Sequence, residues 1–231
     1  MMLNIEGIDV RYGGVTALRE LSLYVDEGET VLLVGANGAG KSSAINAVIG
    51  LVPVCGGTIR FGGQDLGPLS ADRRARAGIG YSPEGRRIFP TLTVKDNVLA
   101  GAFGRGRAQQ AKAYDWLCSL FPWIAERAWQ PASQLSGGQQ QILALARAMC
   151  SFPRLLLLDE PFLGLAPVWI GRISEAIREM QARGTTILMT EQMARPALNL
   201  ATRGYVMRGG EIRRSGSVSE IRDLALAEEY L

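Results

Sequence analysis

The sequence feature that most constrains the fold is a glycine-rich segment in the first quarter of the chain. Residues 35–42 read Gly-Ala-Asn-Gly-Ala-Gly-Lys-Ser and fit the pattern G-x-x-x-x-G-K-[ST] of a phosphate-binding loop, the P-loop. Residues 30–34 are apolar and mostly β-branched or Leu, which predicts a buried parallel strand. Residues 43–49 predict a helix that ends before Gly50. A loop between such a strand and such a helix indicates an α/β fold.

The P-loop residues predict a nucleotide site. Glycines let backbone N–H groups converge on phosphate oxygens without Cβ clashes, and the helix N-terminus adds partial positive charge. In this motif Lys41 reaches the β- and γ-phosphates and the Ser42 hydroxyl holds Mg²⁺. A chance glycine-rich turn is the alternative, which the flanking strand and helix disfavour. We expect the nucleotide to contact Gly35, Asn37, Gly38, Ala39, Gly40, Lys41, Ser42 and Ser43.

Composition limits the classes of function. The chain has 231 residues, of which 47% are hydrophobic, enough for one large α/β domain or a core with an appended subdomain. Its net charge of +3 is too small to indicate a nucleic-acid partner. The absence of histidine excludes His-based metal sites and Ser–His or Cys–His nucleophiles.

Cysteine usage and the termini bear on the compartment. Cys55, Cys118 and Cys150 are scattered and odd in number, which predicts free thiols in a reducing compartment. Residues 1–12 lack a signal pattern, and no apolar run approaches membrane-spanning length. We therefore expect a soluble cytoplasmic protein that serves any membrane process through partners.

Apolar periodicity predicts the remaining elements. Residues 105–130 change character and predict a helical insertion, in which Trp116, Trp123 and Trp129 are expected to pack a small core of their own. The predicted strands are 3–10, 18–25, 57–61, 79–81, 155–158 and 185–190, with a hairpin of 204–207 and 211–215. The predicted helices are 70–77, 93–100, 139–150, 168–182 and 218–231.

A second chemical motif follows the predicted strand 155–158. Four leucines lead to Asp159 and Glu160, and ligands of parallel α/β sheets bind beyond the carboxyl ends of the strands. Asp159 would hold Mg²⁺, and Glu160 would orient or deprotonate the attacking water. A solvated acidic turn would be the preferred interpretation of this segment alone, but the upstream P-loop favours the metal site.

A third motif opens the helix predicted after residue 138. Residues 135–141 read Leu-Ser-Gly-Gly-Gln-Gln-Gln, and a Ser cap with two glycines at a helix N-terminus favours anion binding. This run resembles the signature of ABC-type ATPases and lies at that family's spacing from Lys41 and Asp159. The resemblance covers essentially the whole chain.

The resemblance implies the architecture. The expected fold is an α/β P-loop NTPase of the ABC ATPase type, with a mixed sheet core, an antiparallel β subdomain and a helical signature subdomain. Residues 1–231 are expected to form a single ABC ATPase domain. Its core and β subdomain would comprise 1–90 and 150–231, and its helical subdomain about 91–149.

The resemblance also implies a composite site. In ABC ATPases two domains pair head to tail, and each nucleotide lies between the P-loop of one and the signature of the other. Ser136, Gly137 and Gly138 would then contact the γ-phosphate held by a second ATPase subunit. Tyr12 stands where the family places an aromatic that stacks on adenine, although a Tyr in a hairpin turn is the alternative.

Within that family, segments 83–90, 160–167 and 190–192 look like the ATP-binding subunit of branched-chain amino acid importers. Such subunits work with a related second ATPase, two transmembrane permease subunits and, indirectly, a periplasmic binding protein. The expected cofactors are ATP and Mg²⁺. The expected location is cytoplasmic, on the inner face of the plasma membrane through the permeases, with the Glu84 loop and residues 105–130 facing them.

Four positions depart from the general ABC pattern. Gln192 replaces the usual switch His; Gln can hydrogen-bond a γ-phosphate but carries no proton, and we count it with Lys41 and Glu160 as catalytic. Glu84 replaces the usual Gln, and its carboxylate could approach Mg²⁺ together with Ser42 and Asp159. The other two departures are Ala166 in place of an acid and Phe162 in place of a small Ser or Thr.

Two rival functions are compatible with the same motifs. One keeps the ATPase and changes the cargo, to lipid export or to urea or amide uptake. The other is a soluble ABC ATPase acting on DNA or ribosomes, which usually has tandem domains or long coiled-coil insertions; this chain has no heptad run. We expect a solvated or partner-facing surface, with no nucleic-acid partner, at the arginines 73, 74, 76, 86 and 87.

Without histidine, we expect ATPase activity to vary little between about pH 6.5 and 8.5.

Overall fold

The computed structural model describes residues 1–192 and 195–227. The predicted helix over 228–231 therefore lies outside the described residues. The strands are β1 Leu3–Tyr12, β2 Val15–Val25, β3 Thr30–Val34, β4 Gly56–Phe61, β5 Gln64–Asp65, β6 Ile79–Ser82, β7 Leu155–Asp159, β8 Thr186–Glu191, β9 Arg203–Arg208 and β10 Glu211–Ser217. The helices are α1 Lys41–Ile49, α2 Ala71–Arg76, α3 Val94–Ala100, α4 Arg107–Leu120, α5 Trp123–Glu126, α6 Gly137–Met149, α7 Pro167–Ala182, α8 Arg195–Leu198 and α9 Val218–Ala227, with a 3₁₀ turn at Ala132–Gln134.

The larger sheet has the strand order β10-β9-β3-β8-β7-β6. Its strands are parallel except for the edge strand β10, which pairs with β9 in the antiparallel direction. All residues of β3, β7 and β8 are buried. The middle residues of these strands are apolar because the sheet is covered on both faces, as parallel sheets are, and the polar residues stand at or near the strand ends.

Alternate residues of β3 face two different cores. Leu32 and Val34 lie in one core with residues of α6 and α7, whereas Val31 and Leu33 lie in a second core with residues of α1. Both cores meet β3, so the loop that follows it is supported from both sides of the sheet.

The smaller sheet is antiparallel, with the order β2-β1-β4-β5. Alternating side chains of β1, among them Leu3 and Ile5, enter the second core, where they pack with α1. The mixed sheet and the antiparallel sheet that the sequence predicted are therefore both present.

Helices α3–α6 lie between β6 and β7 in the chain. Here the expectation of a separate aromatic core is wrong. Trp116 and Trp123 pack against the first core, which is continuous with α6, β7 and α7, and the Trp116 ring centroid lies 5.1 Å from that of Phe152. Trp129 is 75% exposed. The insertion thus extends the main core, because its apolar residues are buried in the same cluster as those of α6 and α7. Among the described helices, none has the length and apolar character needed to cross a membrane.

Candidate nucleotide-binding site

The P-loop joins the carboxyl end of β3 to the N-terminus of α1 and lies against the turn between β9 and β10. A Cβ atom on Gly35 would lie 2.4 Å from the Met207 carbonyl oxygen, and one on Gly40 would lie 2.8 Å from the Ala17 carbonyl oxygen. Gly210 N–H donates to the Ala39 carbonyl at 2.9 Å. The two glycines are therefore required by close backbone contacts and also by the left-handed φ of +105° at Gly40.

Lys41 is the first residue of α1, and its side chain turns back over the loop. Its Nζ donates to the carbonyl oxygens of Gly35 at 2.8 Å and Ala36 at 3.3 Å. The same ammonium lies 3.0 Å from Glu160 Oε1, and both side chains are only 4% exposed. The structure thus brings the predicted phosphate-binding lysine and the predicted base into one buried ion pair.

Asp159, the last residue of β7, meets Ser42 as the sequence predicted. Ser42 Oγ donates to Asp159 Oδ1 at 3.1 Å, and Thr190 Oγ1 donates to the same oxygen at 2.6 Å. Burial raises the pKa of Asp159, and the hydrogen bonds from Thr190 and Ser42 oppose that shift. Thr190, which the sequence interpretation gave no role, fixes this carboxylate.

The donor set at this point fits Mg²⁺. A hydroxyl oxygen and a carboxylate oxygen are the hard ligands that this ion prefers, and Mg²⁺ is commonly held by one or two such groups together with substrate phosphates. In the part of the chain that the structure describes, no cluster of three or more His, Cys, Asp or Glu side chains could hold a metal. Ser42 and Asp159 are therefore suited to a metal ion that phosphate oxygens share.

Glu160 occupies the turn after β7 in a strained conformation. Its φ is +46°, which is unfavourable for a residue with a Cβ and costs on the order of 1–3 kcal/mol. Its backbone N–H donates to the Thr190 carbonyl at 3.1 Å and to Thr190 Oγ1 at 3.2 Å. The strain is held by β8, and it directs the carboxylate toward Lys41.

Glu191 is a site residue that the sequence interpretation missed. It is 2% exposed, and its Oε1 accepts from the Phe162 backbone N–H at 3.0 Å. Burial, with smaller contributions from the nearby Glu160 and Asp159 carboxylates, raises the pKa of Glu191 to about 8. A group that titrates near neutrality is therefore present in spite of the missing histidines. The sequence did contain a signal for Glu191, since it is an acidic residue at the carboxyl end of a second buried strand.

Tyr12 and Glu84, like Asp159, lie close enough to Tyr81 of β6 to affect its pKa. Tyr12 ends β1 and is 46% exposed, and Glu84 is exposed in the loop after β6. Burial, with smaller contributions from the Asp159, Glu84 and Tyr12 groups, raises the pKa of Tyr81 to about 12. Tyr81 also donates to Asn46 of α1 at 3.3 Å. Gln192 follows β8 directly and is half-buried.

The signature segment opens α6, as predicted. Ser136 and Gln139 form a reciprocal capping box. A Cβ on Gly138 would lie 2.3 Å from Trp169 Nε1, and one on Gly137 would lie 2.9 Å from the Arg86 guanidinium. Within residues 1–192 and 195–227, no hydrogen bond or ion pair joins this segment to the P-loop. In a single chain, the described residues of the signature segment and the P-loop therefore do not bind each other directly.

The arrangement of these motifs agrees with comparisons to known proteins. A family model described as ABC transporter matches residues 18–163. The chain belongs to the ABC transporter family. The high-affinity branched-chain amino acid transport ATP-binding protein BraG of Pseudomonas aeruginosa is 43% identical over 91% of this chain and 91% of that protein. The lipopolysaccharide export system ATP-binding protein LptB of Acidithiobacillus ferridurans is 34% identical over 96% of this chain and 92% of that protein.

Solved ABC structures agree with the fold. An ATP-binding cassette of an ABC transporter, determined in its ADP conformation, matches with a TM-score of 0.87 and 26% identity, over 99% of this chain and 96% of that chain. The family and fold expected from the signature are thus confirmed, and the chain is a nucleotide-binding ABC ATPase.

Two departures from the general ABC pattern have a structural account. Phe162 is 5% exposed and packs into the core that contains α6 and α7; its ring fills space there, and its backbone N–H reaches Glu191. Ala166 is the N-cap of α7 without a side-chain cap, and Pro167 occupies the first turn, where a missing N–H costs nothing.

Proposed function

We propose that this chain is the ATP-hydrolysing subunit of an ABC importer for branched-chain or related amino acids. The proposal that the chain hydrolyses ATP rests on one observation: Lys41 contacts Glu160 beside the Ser42–Asp159 pair. The likeness to BraG supports the cargo, together with segments 83–90, 160–167 and 190–192. The lower identity to LptB keeps lipid export as the rival.

Nucleotide binding would use the P-loop and the N-terminus of α1. The backbone N–H groups of residues 35–43 surround the phosphates, and Lys41 exchanges the Glu160 carboxylate for the β- and γ-phosphates. Tyr12 stacks on adenine. Ser42 and Asp159 hold Mg²⁺, with Glu84 as a further oxygen ligand. When bound, Mg²⁺ would neutralise charge on the phosphate oxygens.

Hydrolysis would use residues at the ends of β7 and β8. Glu160, released from Lys41, accepts a proton from the attacking water. Gln192 hydrogen-bonds the γ-phosphate. Ser136, Gly137 and Gly138 of a second subunit complete the site from the opposite side, and this pairing accounts for the separation of the signature from the P-loop in one chain.

The transporter context is part of the proposal. Residues 1–231 form one ABC ATPase domain with a helical subdomain of about 91–149. It works with a second ATPase subunit, two permeases and, indirectly, a periplasmic binding protein, on the inner face of the plasma membrane. A groove of about 620 Å³ between α2, β6 and the loop after α3 suits a permease segment, because the exposed Phe103 and the Arg105 and Arg147 side chains line it.

The positions of the arginines give little support to the rival function, an ATPase that acts on DNA or ribosomes. The expectation of a solvated or partner-facing surface is wrong for Arg74, which is buried because its guanidinium donates to the Ala47 and Val48 carbonyls at the end of α1. Arg86 lies against Gly137. These side chains therefore serve contacts within the chain, and we expect no nucleic-acid partner.

Sedimentation of the full-length Glu160→Gln protein, with and without ATP and Mg²⁺, tests the composite site. A nucleotide-dependent dimer is expected. A monomer that binds ATP would reject pairing of identical chains and point to a different ATPase partner.

Uptake of labelled leucine by cells that lack the gene tests the cargo, with labelled urea as the control. Unchanged leucine uptake would reject the amino acid assignment.

A further inference from the structure

Glu191 connects two loops of the site through different atoms. Its backbone carbonyl accepts from the Gly35 N–H, the first glycine of the P-loop, at 3.4 Å. Its side-chain Oε1 accepts from the Phe162 N–H at 3.0 Å. Both contacts are buried, since Glu191 is 2% exposed.

The neighbours of Glu191 along the chain are themselves at the site. Thr190 donates to Asp159 and accepts from the Glu160 N–H, and Gln192 is the proposed γ-phosphate residue. Phe162 lies two residues after Glu160. Glu191, the last residue of β8, therefore directly precedes Gln192 and contacts the turn that carries Glu160.

We propose that Glu191 is a positioning residue for hydrolysis, which fixes the turn carrying Glu160 relative to Gln192 by holding the Phe162 N–H. This inference rests on the proposed function, because it assigns Glu191 a role only if Glu160 and Gln192 act on the γ-phosphate.

The geometry explains why this bond would matter to Glu160. Phe162 is buried, so its N–H has no water to replace the carboxyl group. Loss of the acceptor favours a shift of the turn. Glu160, with its φ of +46°, is otherwise held there by Thr190 and Lys41 and by the Leu163 N–H, which donates to its carbonyl at 3.2 Å. A small rotation there moves the Glu160 carboxylate away from the γ-phosphate, which costs rate without removing the P-loop contacts.

The charge environment indicates which substitution preserves the role. Glu160, Asp159 and Lys41 are the charged groups that face Glu191, and burial favours its neutral form. A neutral carboxyl and a carboxamide both offer an acceptor oxygen at the same distance along the side chain. Glu191→Gln is therefore the conservative variant, whereas Glu191→Ala removes the acceptor and Glu191→Asp retracts it.

The test compares phosphate release and ATP binding for the full-length variants with Mg²⁺. Glu191→Ala is expected to lower kcat at least tenfold while the Kd for ATP stays within about threefold, and Glu191→Gln is expected to keep kcat within about threefold. Glu179→Gln, on the exposed face of α7, is the matched control. If Glu191→Ala does not fold, Glu191→Asp tests the same role, because its shorter side chain withdraws the acceptor from the Phe162 N–H, and we expect a loss of kcat.

The outcomes separate this inference from the proposed function. A wild-type kcat in Glu191→Ala, or an equal loss in Glu191→Gln and Glu191→Ala, overturns the positioning role while the proposed function stands. A wild-type protein that releases phosphate no faster than Glu160→Gln overturns the proposed function, and the positioning role with it.

Discussion

Lys41 Nζ lies 3.0 Å from Glu160 Oε1, in an ion pair shielded from solvent on both sides. The side chain proposed to bind the phosphates therefore neutralises the side chain proposed to activate water. Because one ammonium cannot neutralise both partners fully, the proposed binding of phosphate at Lys41 would release Glu160. The ion pair links nucleotide binding to the availability of the base.

Glu160→Gln should bind ATP at least as tightly as the wild type, because Lys41 no longer has a charged competitor for the phosphates. Turnover should fall by about 100-fold or more, which is the usual contribution of a general base. Fluorescent-nucleotide titration and phosphate release measure the two quantities. Unchanged turnover would reject Glu160 as the base.

Lys41→Met should leave the Glu160 carboxylate buried without its partner, which lowers the free energy of unfolding by about 3 kcal/mol. The double variant Lys41→Met with Glu160→Gln should recover at least half of that loss, because neither charge remains. Urea unfolding of the wild type, the two single variants and the double variant measures this coupling. Additive effects would show that the pair is not coupled in solution.

Gly138→Ala should lower turnover at least tenfold, because the new Cβ would lie 2.3 Å from Trp169 Nε1 and displace the start of α6. Its ATP affinity should not change, since the P-loop is separate. Gly171→Ala is the control: its Cβ meets nothing within 4 Å on α7.

For Gly171→Ala we expect wild-type turnover and a gain in unfolding free energy of about 0.5–1 kcal/mol, the difference between Gly and Ala inside a helix. Full activity in Gly138→Ala would mean that Trp169 moves aside at no cost to the signature.

Glu191 should make stability depend on pH. Its pKa is about 8 in the folded chain, against an ordinary value of 4.5. Between these values the unfolded chain has released a proton that the folded chain keeps, so stability is fully present below about pH 4.5 and falls as the pH rises toward 8. Each unit of pKa difference corresponds to about 1.4 kcal/mol.

Glu191→Gln should therefore raise the Tm at pH 8 by on the order of 10 °C, since the pKa difference corresponds to a loss that approaches about 5 kcal/mol at that pH and 1 kcal/mol corresponds to roughly 2–4 °C in a domain of this size. At pH 5 the gain should nearly disappear. Thermal unfolding at the two pH values measures the effect, with Glu179→Gln as the exposed control. An equal gain at both pH values would contradict the assignment of this pKa to Glu191.

The sequence was sufficient to predict the main features of the fold, because the signals were local. The P-loop strand and the leucine run before Asp159 are short apolar runs bounded by turns, and both form strands at the predicted positions. The tryptophans of the helical insertion were misjudged because periodicity gives a helix an apolar face without showing what covers it. Trp116 packs on Phe152, which follows α6.

The candidate site was predictable where a motif specified it and not where two strands meet. Lys41, Ser42 and Asp159 follow from spacing along the chain. The roles of Thr190 and Glu191 depend on the parallel register in which Asp159 pairs with Thr190, and no local pattern encodes that register. The contact between Trp169 and Gly138 likewise depends on the packing of α7 on α6.

The position of β3 also affects how the protein is made. The strand that ends in the P-loop is paired with β8 on one side and β9 on the other, and the Gly210 N–H reaches the Ala39 carbonyl. During synthesis the loop at residues 35–42 leaves the ribosome well before β8 and β9, which begin at Thr186 and Arg203. An interrupted translation product would carry the complete P-loop motif without the partners that hold its glycines in place, so we expect the competence to bind ATP to arise late in biosynthesis.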